Sequence, residues 1–475
     1  MSHPPAARRA QRAHRVQLRS RLPSPAHAAA WATLAALVGC GPAPYEQGLD
    51  RDLARASAAL APMPDPATEL AAPDFDGSLA GYVDYAARTS PRLRAALEEW
   101  RAARLRIEPA RRPPEPTLSY GFFARSVETR VGPQRHRLSL RQSLPWPGTL
   151  AAGAGAAAAQ ARAAQTRFDA AALDLTRQVA EVYWQLWLTQ ETRVVQTEQR
   201  EILASLAATV RARVEVGQAS LADLGQIDLS VSRLDDAVQG LDQAQAALTA
   251  RLIMIVGAPP GSPAPVQAQP PAPALPAADE RALRADAVSH PRVSSFEFMA
   301  QSSEAQADRA DHARYPNLTV GIDYIETGTA PMPGVADSGK DPIVAVLGLS
   351  LPLWSGAYAD QAASARAQGQ AFRAQGQDAR DRAAAELSAA LSSLRDAARR
   401  IELYQTTLIP QAETVYGSLI AATESSRGQV TAALLAHRDL LELRLGLARA
   451  QRDHAVAWAT LEHIVGHPVE SERMP

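Results

Sequence analysis

Three histidines near the end of the chain, His454, His463 and His467, are of a residue type that binds metal, and the last two stand four apart on a helical pattern. Rings at that spacing can reach one ion, but a zinc-like site needs further nitrogen, sulfur or carboxylate donors. No such partner recurs at matching spacing, so these read as surface histidines. No nucleophile–histidine–acid set and no phosphate-binding glycine loop occurs in the 475 residues either. The expectation is a protein without catalytic residues, resident metal or cofactor. A formal net charge of −1 gives no polybasic field for nucleic acid.

The reactive side chain that remains is Cys40, the sole cysteine, so a disulfide within the chain is excluded. Arginines 8, 9, 12, 15, 19 and 21 precede an apolar stretch from Ala28 to Val38, and Leu37-Val38-Gly39-Cys40 follows. This looks like a bacterial lipoprotein signal, in which residues 1–39 are removed and Cys40 carries lipid, palmitate included. An ordinary secretory signal with a chance cysteine is the other reading. Beyond it nothing approaches the ~20 apolar residues of a membrane-spanning helix. Export without such a helix leaves the periplasm, the outer membrane or the exterior.

What must such a chain position? Its dominant element is an Ala-rich helical pattern from about Leu150 to Ile255, broken at Val216-Gly217-Gln218-Ala219-Ser220. After the break, Leu224, Ile227, Val231, Leu234, Val238, Leu241, Leu248, Leu252 and Ile255 keep a heptad seam. Before it, Leu175, Val179, Val182 and Leu186 form one stripe, with Ala180, Tyr183 and Trp187 beside it. A helix with two seams has two neighbours. Some 65 residues of helix reach about 100 Å, longer than any compact globule needs.

Two short segments upstream switch to period two. Leu118, Tyr120 and Phe122 alternate with small polar residues, and Leu138, Leu140 and Leu144 alternate with Arg137, Ser139, Arg141 and Ser143. They predict a hairpin with one apolar and one polar face, joined by a polar loop. The same sequence of patterns then returns. Asp279 to His312 is helical, broken at His290-Pro291 as Ser78 to Glu108 is at Ser90-Pro91. Asn317 to Tyr324 and Ile343 to Leu351 predict a second hairpin, and Arg427-Gly428-Gln429 repeats the break at Gly217. The chain is therefore a tandem duplication of roughly 205 residues. Its parts are a signal (1–39), an irregular lipidated leader (40–77), a first repeat (78–257), a Pro/Ala linker (258–277), a second repeat (278–467) and a tail (468–475).

Four strands cannot stand alone in a bilayer, because open sheet edges in hydrocarbon are costly. The smallest membrane barrels have about eight strands, so several chains are required; three would supply about twelve and two a narrow eight. In such a barrel Arg137, Ser139, Arg141, Thr319 and Asp323 line the lumen. Leu118, Tyr120, Phe122, Leu138, Leu140, Leu318, Val320 and Ile322 meet lipid. Trp146 and Trp354, at the strand–helix junctions, are either interfacial anchors or wedges between sheet and helices.

From about Ser78 to His467 the chain resembles the TolC-like outer-membrane efflux factors. The segments that carry the resemblance are Val179 to Leu186, Gly217 with Ala222-Asp223-Leu224, Leu408 to Glu413, and Gly428 followed by Leu434-Leu435-Ala436-His437-Arg438. With Cys40, it points to the lipoprotein branch that serves resistance-nodulation-division pumps. The resemblance implies a mainly α fold with a β-barrel part: a homotrimer with a twelve-stranded barrel, four strands per chain, continued by a periplasmic α-helical barrel. It implies an exit duct that docks on a periplasmic adaptor and an inner-membrane pump. It leans towards metal efflux over drug efflux. Gly217 and Gly428 mark the periplasmic tips. Family members often close that end with acidic residues six and nine positions after the second-tip glycine; here those positions hold Leu434 and His437. Asp223 is the acid six after Gly217. Closure then falls to Leu434 and to contacts of Arg438 and Asp439, and His437 either titrates near neutral pH at the constriction or is a solvated helix residue. A lipid-anchored periplasmic coiled-coil scaffold that conducts nothing is the rival from another class.

Overall fold

A computed structural model describes residues 45–61, 72–267, 269–424 and 430–473. Cys40 and Gly428 lie outside the described residues.

Each repeat begins with a helix broken by proline. In the first, α1 (Leu49–Ala59) precedes α2 (Leu79–Thr89), α3 (Pro91–Leu105) and the short α4 (Ile107–Arg111). Ser78 caps α2 by accepting from the Gly81 N–H at 3.0 Å. Pro91 opens α3, where its missing N–H costs nothing. The hairpin strands β1 (Thr117–Thr129) and β2 (Gly132–Leu144) follow, longer than the sequence alone suggests. The expected polar loop is largely absorbed into the strands, which continue past an irregularity between Phe122 and Val127. The long rod is α5 (Thr149–Glu215, 67 residues) and the return helix is α6 (Leu221–Val256). At 1.5 Å per residue α5 spans about 100 Å.

After the linker, which contains β3 (Ala274–Pro276), the second repeat supplies α7 (Glu280–Ser289), α8 (Pro291–Ala313), β4 (Asn317–Thr327) and β5 (Ile343–Ser350). Its rod is α9 (Ser355–Leu403), a π-turn at Tyr404–Leu408, and α10 (Ile409–Glu424). Pro410 has no N–H to continue the i→i−4 ladder, and the ladder widens in the turn before it. The return helix α11 (Val430–Val465) and β6 (Ser471–Arg473) close the chain.

The buried apolar residues gather into three separate cores. One gathers Tyr82, Trp100 and Ile107 around Val179, Tyr183 and Leu186 of α5. A second joins Leu283 to Leu387, Leu394 and Leu461 in the second repeat. The third lies near the tips. Both stripes predicted before Gly217 are buried, as two neighbours require. Where α5 reads Gly153 to Ala164 it is almost wholly small residues, and α8 comes close enough for the Ser302 hydroxyl to donate to the Ala156 carbonyl at 3.0 Å.

Two expected irregular regions are ordered. In the leader, α1 turns Leu49 fully inward with Leu53 and Ala56 on the same face. Arg104 pairs with Asp50 at 2.7 Å, and Arg162 donates to the Tyr45 carbonyl at 2.9 Å. The helical spacing of Leu49, Leu53 and Ala56 is the signal the proline-rich surroundings obscured. The linker and tail likewise pair, β3 with β6, antiparallel. His454 supports that pairing: its Nε2 lies 3.2 Å from the Ala274 N and 3.0 Å from the Ala274 O. It is buried, which corrects its reading as a surface histidine.

Candidate functional site

The four long strands form one antiparallel sheet in the order β1-β2-β4-β5, so the two hairpins of the duplication lie side by side. Register assigns every side chain to a face, because residues directly opposite one another point the same way. Leu118, Leu140, Ile322 and Ala345 are aligned across the sheet, as are Tyr120, Leu138, Tyr324 and Ile343. With Phe122, Leu318 and Val320 these make one apolar face, which places together all eight residues expected to meet lipid. The sequence reading missed Tyr324, Ile343, Leu347 and Leu349 on this face, although alternation through β5 carries the signal. Leu118, Tyr120, Phe122, Leu347 and Leu349 are about two-thirds exposed or more, far from the burial such side chains seek in a water-soluble fold.

The face is not apolar to its rim. At the hairpin end Phe122 stands opposite His136, which stands opposite Glu326. The Tyr120 hydroxyl lies 2.6 Å from His136 Nδ1, and Tyr324 donates to Asp341.

The five residues expected in a lumen share the opposite face. Ser139 is aligned with Asp323, Arg141 with Gly321, and Thr319 with Ser143. Asp323 is an ion-pair partner of Arg137 and lies 3.9 Å from Arg141. Towards β5 this face turns apolar, with Val344 and Val346. Among the described residues β1 and β5 have no further strand partner, and both edges of the sheet are open.

Near the far end of the rods, α5 stops in a Schellman turn. Gly217 adopts φ +72° and its N–H donates to the Val214 carbonyl at 3.0 Å, while the Gln218 N–H donates to Arg213 at 2.7 Å. Ser220 then caps α6 by accepting from the Ala222 N–H at 2.9 Å, and Asp223 sits half-buried in the first turn, where a carboxylate is favoured. Leu203, Ala207, Val210 and Ile227 form the core behind this tip, and Leu434 of the second repeat packs against it. Arg438 is exposed and pairs with Glu442 at 3.4 Å; Asp439 is exposed beside it.

His437 answers to neither expectation. It is 4% exposed, against Tyr416 of α10, and burial pushes its pKa down to about 4. It is therefore neutral at pH 7, neither solvated nor poised near neutrality. His463 and His467 also part company: His467 is held 3.2 Å from Asp286, whereas His463 is half-buried with its ring 5.5 Å from that of His290. Among the described residues no group of three or more His, Cys, Asp or Glu is placed to hold a metal ion. Trp146 stacks on Tyr315 with ring centroids 4.9 Å apart, and Trp354 is 76% exposed, so neither is a core wedge. No helix among the described residues is long and apolar enough to cross a membrane.

The outer membrane efflux protein family model matches residues 83–258, nearly the whole first repeat. Comparison with curated proteins gave no match. Among solved structures, the outer membrane protein VceC of Vibrio cholerae is 18% identical, with a TM-score of 0.68 over 82% of this chain and 97% of that one. A membrane protein from Pseudomonas aeruginosa is 17% identical, with a TM-score of 0.70 over 86% and 97%. The CmeC outer membrane channel of Campylobacter jejuni is 14% identical, with a TM-score of 0.68 over 87% and 92%. At these identities the structures show a shared fold, and it extends over both repeats. The outer membrane efflux protein family model thus covers the first repeat, and the fold shared with solved outer membrane proteins covers both repeats.

Proposed function

We propose that three copies of this chain close their sheets into a twelve-stranded barrel in the outer membrane, continued into the periplasm by a tunnel of the paired rods. The assembly is the passive exit duct of a tripartite efflux system, receiving small molecules or metal ions from a periplasmic adaptor and an inner-membrane pump. Cys40 carries the lipid that anchors the leader. One observation carries the reading: a single sheet with a broad exposed apolar face, an opposite face bearing Arg137, Arg141 and Asp323, and two open edges among the described residues. Hydrocarbon tolerates such a sheet only when the edges are paired, and identical neighbours pair them by symmetry.

Reconstitution of the purified protein in planar bilayers tests it, with variants that loosen the tips included. The expected outcome is stepwise conductance from a trimeric species. Stable protein that never conducts in any of these variants would instead identify a lipid-anchored scaffold.

A further inference from the structure

In the regularly paired rows of the polar face, two guanidinium groups and one carboxylate are set among uncharged residues. Arg137 and Arg141 project from β2 on either side of Ser139, and Asp323 of β4 stands directly opposite Ser139. Alternate residues of a strand are about 7 Å apart, so one carboxylate sits between two arginines and within reach of both. Its side chain is only 3% exposed, whereas Arg137 and Arg141 remain 43% and 47% exposed. The negative charge is thus sunk into the sheet and the two positive heads cover it.

The neighbouring positions accommodate this arrangement. Gly321 is paired with Arg141, and a Cβ there would come within 3.0 Å of both the Arg141 Cγ and the Leu140 carbonyl. A side chain at 321 would contest the space that Arg141 uses. The other residues paired on this face across the same rows are Thr117, Ser119, Gly121, Ser143, Thr319, Ile325, Val344, Val346 and Gly348. None carries charge. Counting two arginines against one aspartate leaves each chain with one net positive charge at this level.

We propose that Arg137 and Arg141, gathered over Asp323, are the ion-selectivity determinant of the barrel lumen and favour solutes bearing carboxylate or phosphate over free cations. The inference rests on the conduit reading and deepens it. In a closed trimer the same charges recur three times around one level. Rings of arginine side chains select anions, because a low-dielectric wall focuses their field on the passing ion. Asp323 sets the strength of the ring. It holds the guanidinium groups in place and cancels half of their charge.

The test is the reversal potential of reconstituted trimers under a KCl gradient, measured in a common Leu434→Ser background to loosen the tips. Native sheets are expected to pass chloride in preference to potassium. R137Q/R141Q should move the reversal potential towards that of potassium, and D323N further towards that of chloride. Removing either partner of the pair can disturb assembly. Two gentler changes therefore accompany them: R137K/R141K, expected to keep the native value, and S119R, which adds a cation on the same exposed face and is expected to move it towards chloride. Conducting trimers whose reversal potential ignores both R137Q/R141Q and D323N overturn the proposal, whether or not S119R shifts it. Trimers that never conduct overturn the duct itself, and this inference with it.

Discussion

The His437 ring lies with its centroid 5.1 Å from that of Tyr416 at an interplanar angle of 48°, and neither of its nitrogens has a hydrogen-bond partner among the described residues. Sequence position left this residue either at the gate or solvated on its helix; packing assigns it to the contact between α10 and α11. Its folded pKa of about 4 lies below the 6.5 of the unfolded chain. Between those values the unfolded state binds the proton more readily. The contact is therefore at full strength above about pH 6.5 and weakens progressively as pH falls towards 4. Amide exchange in α10 and the first turns of α11 should accelerate over that window. His437→Leu should remove the local acid sensitivity while leaving that around His290, also depressed to about 4, in place.

Ile227 is fully buried between the two helices of the first tip, with Leu203, Ala207 and Val210 around it. Ile227→Ala leaves a cavity that this narrow core cannot readily close, at a cost of about 2–4 kcal/mol. Because the tip core is separate from the other two cores, the loss should be local. Limited proteolysis near residues 216–220 should quicken, while the thermal midpoint of the whole chain moves little. A collapse of the whole fold would show that the three cores are one cooperative unit.

Gly217 holds φ +72° with open space around its Cα, so only backbone conformation opposes a side chain there. Gly217→Ala is expected to cost roughly 1 kcal/mol. Gly217→Asn should cost less, since asparagine visits the left-handed region more readily. Comparing the two by chemical denaturation of the tip separates conformational strain from lost contacts.

The rods and the sheet are legible in the sequence, and the ends are not. Heptad spacing from Leu224 to Ile255 and alternation from Arg137 to Leu144 are set by local geometry, which sequence records directly. The duplication doubled each signal, so His290-Pro291 could be read from Ser90-Pro91. The leader failed because its helix is held from elsewhere: Arg104 and Arg162 grip it through Asp50 and the Tyr45 carbonyl, contacts distant in sequence. Burial of His437 and His454 failed for a related reason. A polar residue on a helix reads as exposed until the partner helix or strand is known. The charge balance on the sheet required register, since only the pairing of Ser139 with Asp323 shows that one acid serves two arginines.

Arg162 offers a direct check on that leader. Its guanidinium donates to the Tyr45 carbonyl at 2.9 Å and lies 3.3 Å from Asp52, fixing both the entry and the first turns of α1. Arg162→Ala should release α1 without unfolding the rods, seen as faster proteolysis between residues 45 and 60. The guanidinium also donates to the Gln47 carbonyl, and charge alone does not suffice for two carbonyls and a carboxylate, so Arg162→Lys should restore only part of the protection.

The apolar face of the sheet yields the sharpest contrast. Leu140 and Ser139 are neighbours in β2, both near the middle of the paired region, yet they point to opposite faces. If the Leu140 face meets hydrocarbon, Leu140→Arg places a guanidinium against lipid and costs about 2–4 kcal/mol near the bilayer midplane. Ser139→Arg, one residue away, adds the same group on the polar face. Assembly into heat-resistant trimers in outer-membrane extracts should drop sharply for the first and far less for the second. In detergent-free periplasmic material the order would reverse for a soluble scaffold, because Leu140 is already exposed whereas Ser139 is buried at 4% exposure. A period-two pattern predicts alternation in either case. Only a membrane makes the exposed apolar position the intolerant one.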